Sequence, residues 1–207
     1  MMMTKRRALI AGAALLAGLS VNPAGAVPAV GQPAPGFSLT STDGKTVRLA
    51  DFQGRHVVLE WVNPGCPYVR KHYNSANMQG TQKEVTTQGV VWLAVNSTEN
   101  ASADYLAPAE LGRWMQTQQA AATHTLLDED GSVGKAYGAR TTPHMYIVDP
   151  KGVLVYAGGI DSIPSARAGD IQTAVNYIKQ GVRESLAGQP IRAASTRPYG
   201  CAIKYKS

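Results

Sequence analysis

The 207-residue chain predicts an α/β fold: a mixed central sheet covered by helices on both faces, with an N-terminal β-hairpin extension. Three observations carry that prediction. Two largely apolar runs, His56–Val62 and Val90–Val95, have the length and the Gly, Pro and Asn boundaries of buried strands. A helix beginning near Cys66 separates them, so the two strands are expected to run parallel. A later hairpin and an amphipathic helix then supply antiparallel strands and a cover for the sheet.

The elements follow in order. Val27 to Pro35 is a Pro/Ala/Gly-rich lead without periodicity, read as an extended arm. Gly36–Thr40 and Thr46–Leu49 flank Asp43-Gly44, a hairpin with its turn at Asp-Gly. After the two buried strands, Pro108 to Ala121 reads as a helix with Pro at its start. His124–Leu127 is expected to be extended, and 128–131 a turn. Ser132–Tyr137 is expected to form a short helix closed by Gly138. Met145–Val148 and Val153–Ala157 flank Asp149-Pro150-Lys151-Gly152, a second hairpin. Ile171, Val175, Ile178 and Val182 recur at helical spacing, which predicts an amphipathic helix over Asp170–Ala187. Beyond Gly188-Gln189-Pro190 the tail shows no strong period.

The first residues read as an export signal: Lys5, Arg6 and Arg7, an apolar run from Ala8 to Leu19, and Ala24-Gly25-Ala26 as a cleavage site. The apolar run is about 12 residues where a membrane span needs roughly 20, so no stable membrane insertion is expected once the signal is removed. Arg6-Arg7 also fits a twin-arginine signal. The reading is therefore residues 1–26 as signal peptide, 27–190 as one domain, 191–207 as a tail carrying Cys201, and a periplasmic or otherwise exported location. The formal charge of +6 includes those three N-terminal cations and no acid from the same stretch, which leaves +3 for the rest. No basic run interleaved with aromatics appears, and nucleic acid is not an expected partner. Two cysteines, Cys66 and Cys201, are too few for a disulfide-built scaffold and point to redox work or a single staple.

Cys66 directly follows a buried strand, framed by Pro64-Gly65 and Pro67. That places it at the N-terminus of the next helix, where unpaired N–H groups and the helix dipole favour a thiolate. The thiolate is the nucleophile in disulfide exchange. The alternative is an inert buried cysteine, which the surrounding turn residues disfavour.

The stretch from Glu60 to Tyr73, Glu-Trp-Val-Asn-Pro-Gly-Cys-Pro-Tyr-Val-Arg-Lys-His-Tyr, resembles the active-site tract of thioredoxins. It is more similar still to the peroxiredoxin-like, AhpC/TSA-related branch of the redoxins. Tyr199-Gly200-Cys201-Ala202-Ile203-Lys204-Tyr205 resembles the same branch. The resemblance spans roughly Val30 to Lys206 and implies a thioredoxin-like fold. Thioredoxins carry a second cysteine three residues after the first; here that position is Val69. True peroxiredoxins place Pro seven residues and Thr or Ser three residues before their cysteine, whereas this chain has Leu59 and Asn63. Peroxidase chemistry is therefore an alternative rather than the first reading.

Thr142 and Pro143 resemble the cis-proline loop of thioredoxin folds, whose backbone pairs with an incoming peptide. With Pro67 and Tyr68 beside the nucleophile, they are the expected substrate-binding residues, and Pro143 is expected to shape the groove. Glu60 lies six residues before Cys66, where thioredoxins keep a buried acid. A buried carboxyl has a raised pKa and suits a proton shuttle; a carboxylate paired with Lys or Arg, or an edge strand facing water, is the other reading. Cys201 is expected to resolve whatever forms on Cys66, either through a Cys66–Cys201 disulfide or, failing that role, as a structural or free tail thiol. His72 and His144 are read first as packed or surface histidines. With Met145 and the two cysteines they raise a copper-binding assembly protein as a second alternative, since soft thiolates with imidazole suit copper. The first expectation is a thiol–disulfide oxidoreductase without organic cofactor or metal, acting on a protein or small-molecule disulfide and served by a separate reductant.

Overall fold

The structure, a computed structural model, describes residues 28–206; the expected signal peptide lies outside them. A seven-stranded sheet runs in the order β2-β1-β5-β4-β3-β7-β8. Its centre is β3 (Val57–Trp61), parallel to β4 (Val91–Asn96) and antiparallel to β7 (His144–Val148). Every residue of these three strands is buried, which explains their nearly unbroken apolar runs. Beyond β4, the parallel β5 (His124–Leu127) leads to β1 (Ser38–Ser41) and β2 (Thr46–Arg48), so the N-terminal hairpin extends the sheet itself. Its turn is closed by Gly44 N–H donating to Ser41 O at 2.9 Å, with Gly44 at φ 82, a conformation that suits glycine.

Side-chain alternation divides the core into two layers. Val58 and Val62 face one cluster with Cys66, Val69, Tyr73, Trp92, Ile178 and Val182. Val57, Leu59 and Trp61 face the other, with Tyr137, Tyr146 and Val133. The first layer is covered by α1 (Pro67–Asn74), α2 (Asn77–Thr86) and α5 (Tyr177–Leu186), with Met115 of α3 (Pro108–Thr117). The second is covered by α4 (Ser132–Tyr137) and a 3-10 turn at Leu49–Phe52. Helices thus cover both faces, as expected.

Three boundaries differ from expectation. The helix after Cys66 is two helices, broken where Ala76 takes φ 58. The third helix stops at Thr117, ahead of Gln119 at φ 55. The last helix begins at Tyr177 instead of Asp170. Asn176 caps it, its Oδ1 accepting from Ile178 N and Lys179 N at 3.1 and 3.0 Å, which satisfies donors that a longer helix would have used internally. Ile171 falls in a 3-10 turn and Val175 stays 49% exposed.

The expected extended arm instead turns at Val30–Gly31, where Gln32 N donates to Ala29 O at 3.1 Å, and it is tied to β8 (Leu154–Gly158): Gly31 N donates to Leu154 O at 2.7 Å and Leu154 N to Gln32 O at 2.9 Å. The tail is ordered against the domain as well. Thr196 N donates to Ala157 O at 3.2 Å. Farther on, β9 (Cys201–Ala202) pairs antiparallel with β6 (Thr141–Thr142).

Candidate active site

Cys66 is the N-cap of α1, extended at φ −79, ψ 124, with Pro67 as the first helical residue. Proline has no N–H to leave unpaired there and its φ suits the helix. The unpaired first-turn N–H groups of α1 lie at the Cys66 end of the helix. The Cys66 thiol donates to Thr142 O at 3.0 Å. The Thr142–Pro143 peptide is cis, and both residues are buried. The predicted cysteine and the predicted proline loop, 77 positions apart in the chain, therefore meet.

The tail brings the second thiol to the same point. Cys201 lies opposite Thr142 in the β6–β9 ladder, and its side chain packs against the cluster that holds Cys66. Both cysteines are free thiols. Burial, first, and then the adjacent Cys66 push the Cys201 thiol up to about 12, opposed by the Tyr68 backbone N–H that it accepts. Cys201 therefore remains a protonated thiol at neutral pH. Of the two sulfurs, Cys66 holds the helix N-terminus. Cys66 is 2% exposed, whereas Cys201 is half-buried. Tyr68 is half-buried and meets Tyr199 edge-on at 5.9 Å between ring centres; Pro67 is exposed.

Glu60 is fully buried in the middle of β3, between Ala94 and Met145. Among the described residues it has no cationic partner. Its Oε1 accepts from Tyr73 OH at 2.9 Å, and its Oε2 from Trp92 Nε1 at 2.8 Å and Gln82 Nε2 at 3.0 Å. Burial raises its pKa to about 7 against the pull of those three donors. This carboxyl therefore changes charge near neutrality. By strand alternation it lies on the face of β3 that packs against α1 and the Cys66 cluster.

The histidines are both buried. His72 Nε2 lies 3.2 Å from Tyr199 OH, and its Nδ1 lies 2.8 Å from Asn77 Nδ2. His144 Nδ1 faces Arg140 N and Tyr146 OH at 3.3 and 3.2 Å. Burial lowers their pKa values to about 4 and about 3. Among the described residues no group of three or more His, Cys, Asp or Glu stands at metal-holding distance. Met145 turns into the Cys66 layer, so His144, its neighbour on the strand, points to the opposite layer. Asn63 stands where a peroxiredoxin has its hydroxyl residue; its Oδ1 accepts from Gly65 N at 2.7 Å and its Nδ2 donates to Thr98 at 3.1 Å.

Four residues at the site, Tyr199, Asp161, Lys71 and Gly200, carry no role predicted from the sequence. Tyr199, two residues before Cys201, donates its hydroxyl to Asp161, and Asp161 pairs with Lys71 at 3.4 Å, both side chains buried. Gly200 rests against the Thr142 carbonyl. The available signal lay in the tail. Cys201, Ile203 and Tyr205 alternate with Ala202, Lys204 and Lys206, the period of a half-buried strand, and their burial alternates in the same way.

Over 125 residues the chain is 29% identical to the thiol-disulfide oxidoreductase ResA of Bacillus subtilis, covering 60% of this chain. The match covers 64% of ResA, so the chain spans less than two thirds of that relative's length. An uncharacterized conserved protein from Geobacillus kaustophilus superposes with a TM-score of 0.73 at 27% identity, over 86% of this chain and 93% of the other. The thioredoxin domain of a thiol-disulfide oxidoreductase from Bacteroides vulgatus superposes at 0.51 with 21% identity, over 70% and 96% of the two chains. The fold is thus thioredoxin-like, and since the AhpC/TSA family pattern matches residues 30–157, more than half of the sequence, the chain belongs to the AhpC/TSA family.

Proposed function

We propose that this chain is an exported thiol–disulfide oxidoreductase in which Cys66 attacks and Cys201 resolves. The observation that carries the reading is the meeting of three groups. The Cys66 thiol sits at a helix N-terminus, it donates to Thr142 O beside Pro143, and Cys201 contacts it from β9. Val69 occupies the place of a local second cysteine, so a resolving thiol has to come from elsewhere, and Cys201 is in contact. The Cys66 thiolate attacks a substrate disulfide and expels one substrate thiolate. Cys201 then attacks the Cys66 sulfur of the mixed disulfide, releases the second substrate thiol and leaves a Cys66–Cys201 disulfide. Glu60 carries the proton between these steps, since it titrates near neutrality on the layer that holds Cys66. Pro67, Tyr68, Thr142 and Pro143 line the approach to the sulfur. ResA carries the name of the same activity, which supports the assignment.

The basic start, short apolar run and Ala24-Gly25-Ala26 support export to the periplasm or a similar space, where a separate dithiol reductant returns the pair to its thiol form. The test is reduction of a small disulfide by the reduced protein, followed by mass spectrometry. Activity lost in Cys66→Ser, together with a Cys66–Cys201 bond in the spent wild type, is the expected result. Retained activity in Cys66→Ser would reject the assignment.

A further inference from the structure

The backbone edge that a peptide substrate would use is already occupied by the chain itself. Thr141 and Thr142 of β6 stand opposite Ala202 and Cys201 of β9, and Ile203 N donates to Arg140 O at 3.1 Å. The segment 199–206 is fastened along its length. Tyr199 OH donates to Asp161, which is buried with Lys71, and Glu99 N donates to Lys204 O at 2.9 Å. Tyr205 lies across Gly131 and Gly134 and donates to Ala139 O at 2.8 Å. Beneath this strap Cys66 is 2% exposed.

A polypeptide disulfide needs what the strap now holds: the β6 edge and the approach to Cys66. The two cannot be present together. The strap also records what fits. Gly200 has φ +142, and a Cβ there would stand 2.7 Å from the Thr142 carbonyl carbon and 3.2 Å from Pro143 N. Both atoms are backbone and cannot swing away, so the position before the cysteine has no room for a side chain. One residue earlier, Tyr199 meets Tyr68 edge-on and lies under Lys71 Nζ at 5.6 Å.

We propose that the strap is a built-in template of the substrate: the enzyme acts on extended polypeptide segments whose oxidised cysteine follows a glycine, and such segments displace β9 from β6 to reach Cys66. This inference rests on the oxidoreductase reading. With the strap displaced, the Cys66 thiolate attacks the sulfur of the Gly-Cys unit, and the other half of that disulfide leaves as a thiolate and takes a proton. The strap then returns. Cys201 attacks the Cys66 sulfur, its thiol proton goes to the departing substrate sulfur, and the Cys66–Cys201 bond closes. The substrate has gained two electrons and two protons, the protein has lost them, and a dithiol donor restores them. Because the returning strand and the product strand compete for one edge, resolution and product release are a single exchange.

The test uses the full chain and three substrates: hydroxyethyl disulfide and two peptides, each disulfide-linked to a small thiol, that differ only in Gly-Cys against Val-Cys. Single-turnover reaction at Cys66 should favour the Gly-Cys peptide about 10-fold or more, the scale on which a tight site rejects added methyl groups. Gly200→Val, which pushes the strap off Thr142, should speed both alkylation of Cys66 by iodoacetamide and attack on the Gly-Cys peptide. Should that variant fail to fold, Tyr199→Phe loosens the strap from Asp161 and should act in the same direction. Equal rates on the two peptides, or no faster alkylation in either folded variant, would overturn the proposal. Reduction of hydroxyethyl disulfide alongside such a result leaves the oxidoreductase reading standing; no reaction with any of the three substrates removes both.

Discussion

Thr142 serves both cysteines at once: its carbonyl accepts the Cys66 thiol at 3.0 Å, and its backbone stands opposite Cys201 in the β6–β9 ladder. A two-residue strand thereby aligns a nucleophile from the start of α1 with a thiol from the end of the chain. Cys201 stands beside Cys66 in a chain whose helix carries Val69 at the position of a second cysteine. Burial first, and the adjacent Cys66 second, suppress its ionisation.

Oxidation is expected to give one intramolecular bond between Cys66 and Cys201, closing a loop of 135 positions. On the chain-entropy account a loop of that length stabilises the fold by roughly 4–5 kcal/mol, with measured values often lower. Non-reducing peptide mapping and paired melting curves of oxidised and reduced protein check this. Oxidised protein that melts no higher than reduced protein would contradict a bond formed within native geometry.

Cys201→Ser should keep the first attack and lose the second. Reaction with a small disulfide is expected to stop after one equivalent, with the mixed disulfide retained on Cys66. The β6–β9 ladder is made by backbone groups that the substitution leaves intact, so the strap remains in place. Steady turnover in this variant at the wild-type rate, without added thiol, would show that Cys201 is no resolver.

Glu60→Gln separates proton transfer from packing, because the amide keeps the size of the side chain. A loss of about 10- to 100-fold in disulfide reduction is expected, the modest end of general acid–base catalysis. The rate step near pH 7, where the carboxyl titrates, should vanish. Stability should move the other way. The folded pKa lies above the ordinary 4.5, so the native state binds the extra proton and wild type loses stability as pH rises from 4.5 through 7. The variant lacks that slope and should gain on wild type by on the order of 2–3 kcal/mol at pH 8 relative to pH 4. Melting curves at the two values decide it, and a constant offset would mean that Glu60 does not titrate in this window.

Much of this site was legible in the sequence, for a physical reason. Strands buried on both faces leave apolar runs, so β3 and β4 were visible, and a lone Glu60 in such a run stood out. Cys66 was visible because strand, turn and helix start coincide there. Lys71 was not, since a cation on a short helix ordinarily faces water, and the distant Asp161 carboxylate, Ile163 carbonyl and Tyr199 ring make its burial tolerable. The split at Ala76 left no trace, because alanine seldom takes positive φ. The onset of α5 was misplaced because Ile171 and Val175 keep the helical period even though Asn176 starts the helix. The tail as a whole shows no strong period, its alternation being confined to residues 201–206, and β6, its partner, is two residues long and could not be recognised as a strand in advance.

The last prediction concerns acid. His72 and His144 are buried and neutral, with pKa values lowered to about 4 and about 3, burial being the first cause for each. Asp161 draws the His72 value up while Lys71 pushes it down, and Arg140 pushes the His144 value down. In the unfolded chain both rings take up protons near 6.5. As pH falls below 6.5 the unfolded state therefore gains protons that the native state refuses, and stability is lost progressively toward pH 4 and 3. Glu60 acts in the opposite sense between 7 and 4.5, so the net fall should be shallow at first and steepen below 4.5, once Glu60 is protonated in both states. His144→Gln keeps an acceptor for Tyr146 OH but has nothing to protonate. Its melting temperature should fall less than that of wild type between pH 6.5 and 3.5. Parallel pH profiles for the two proteins would place the acid sensitivity elsewhere than in His144.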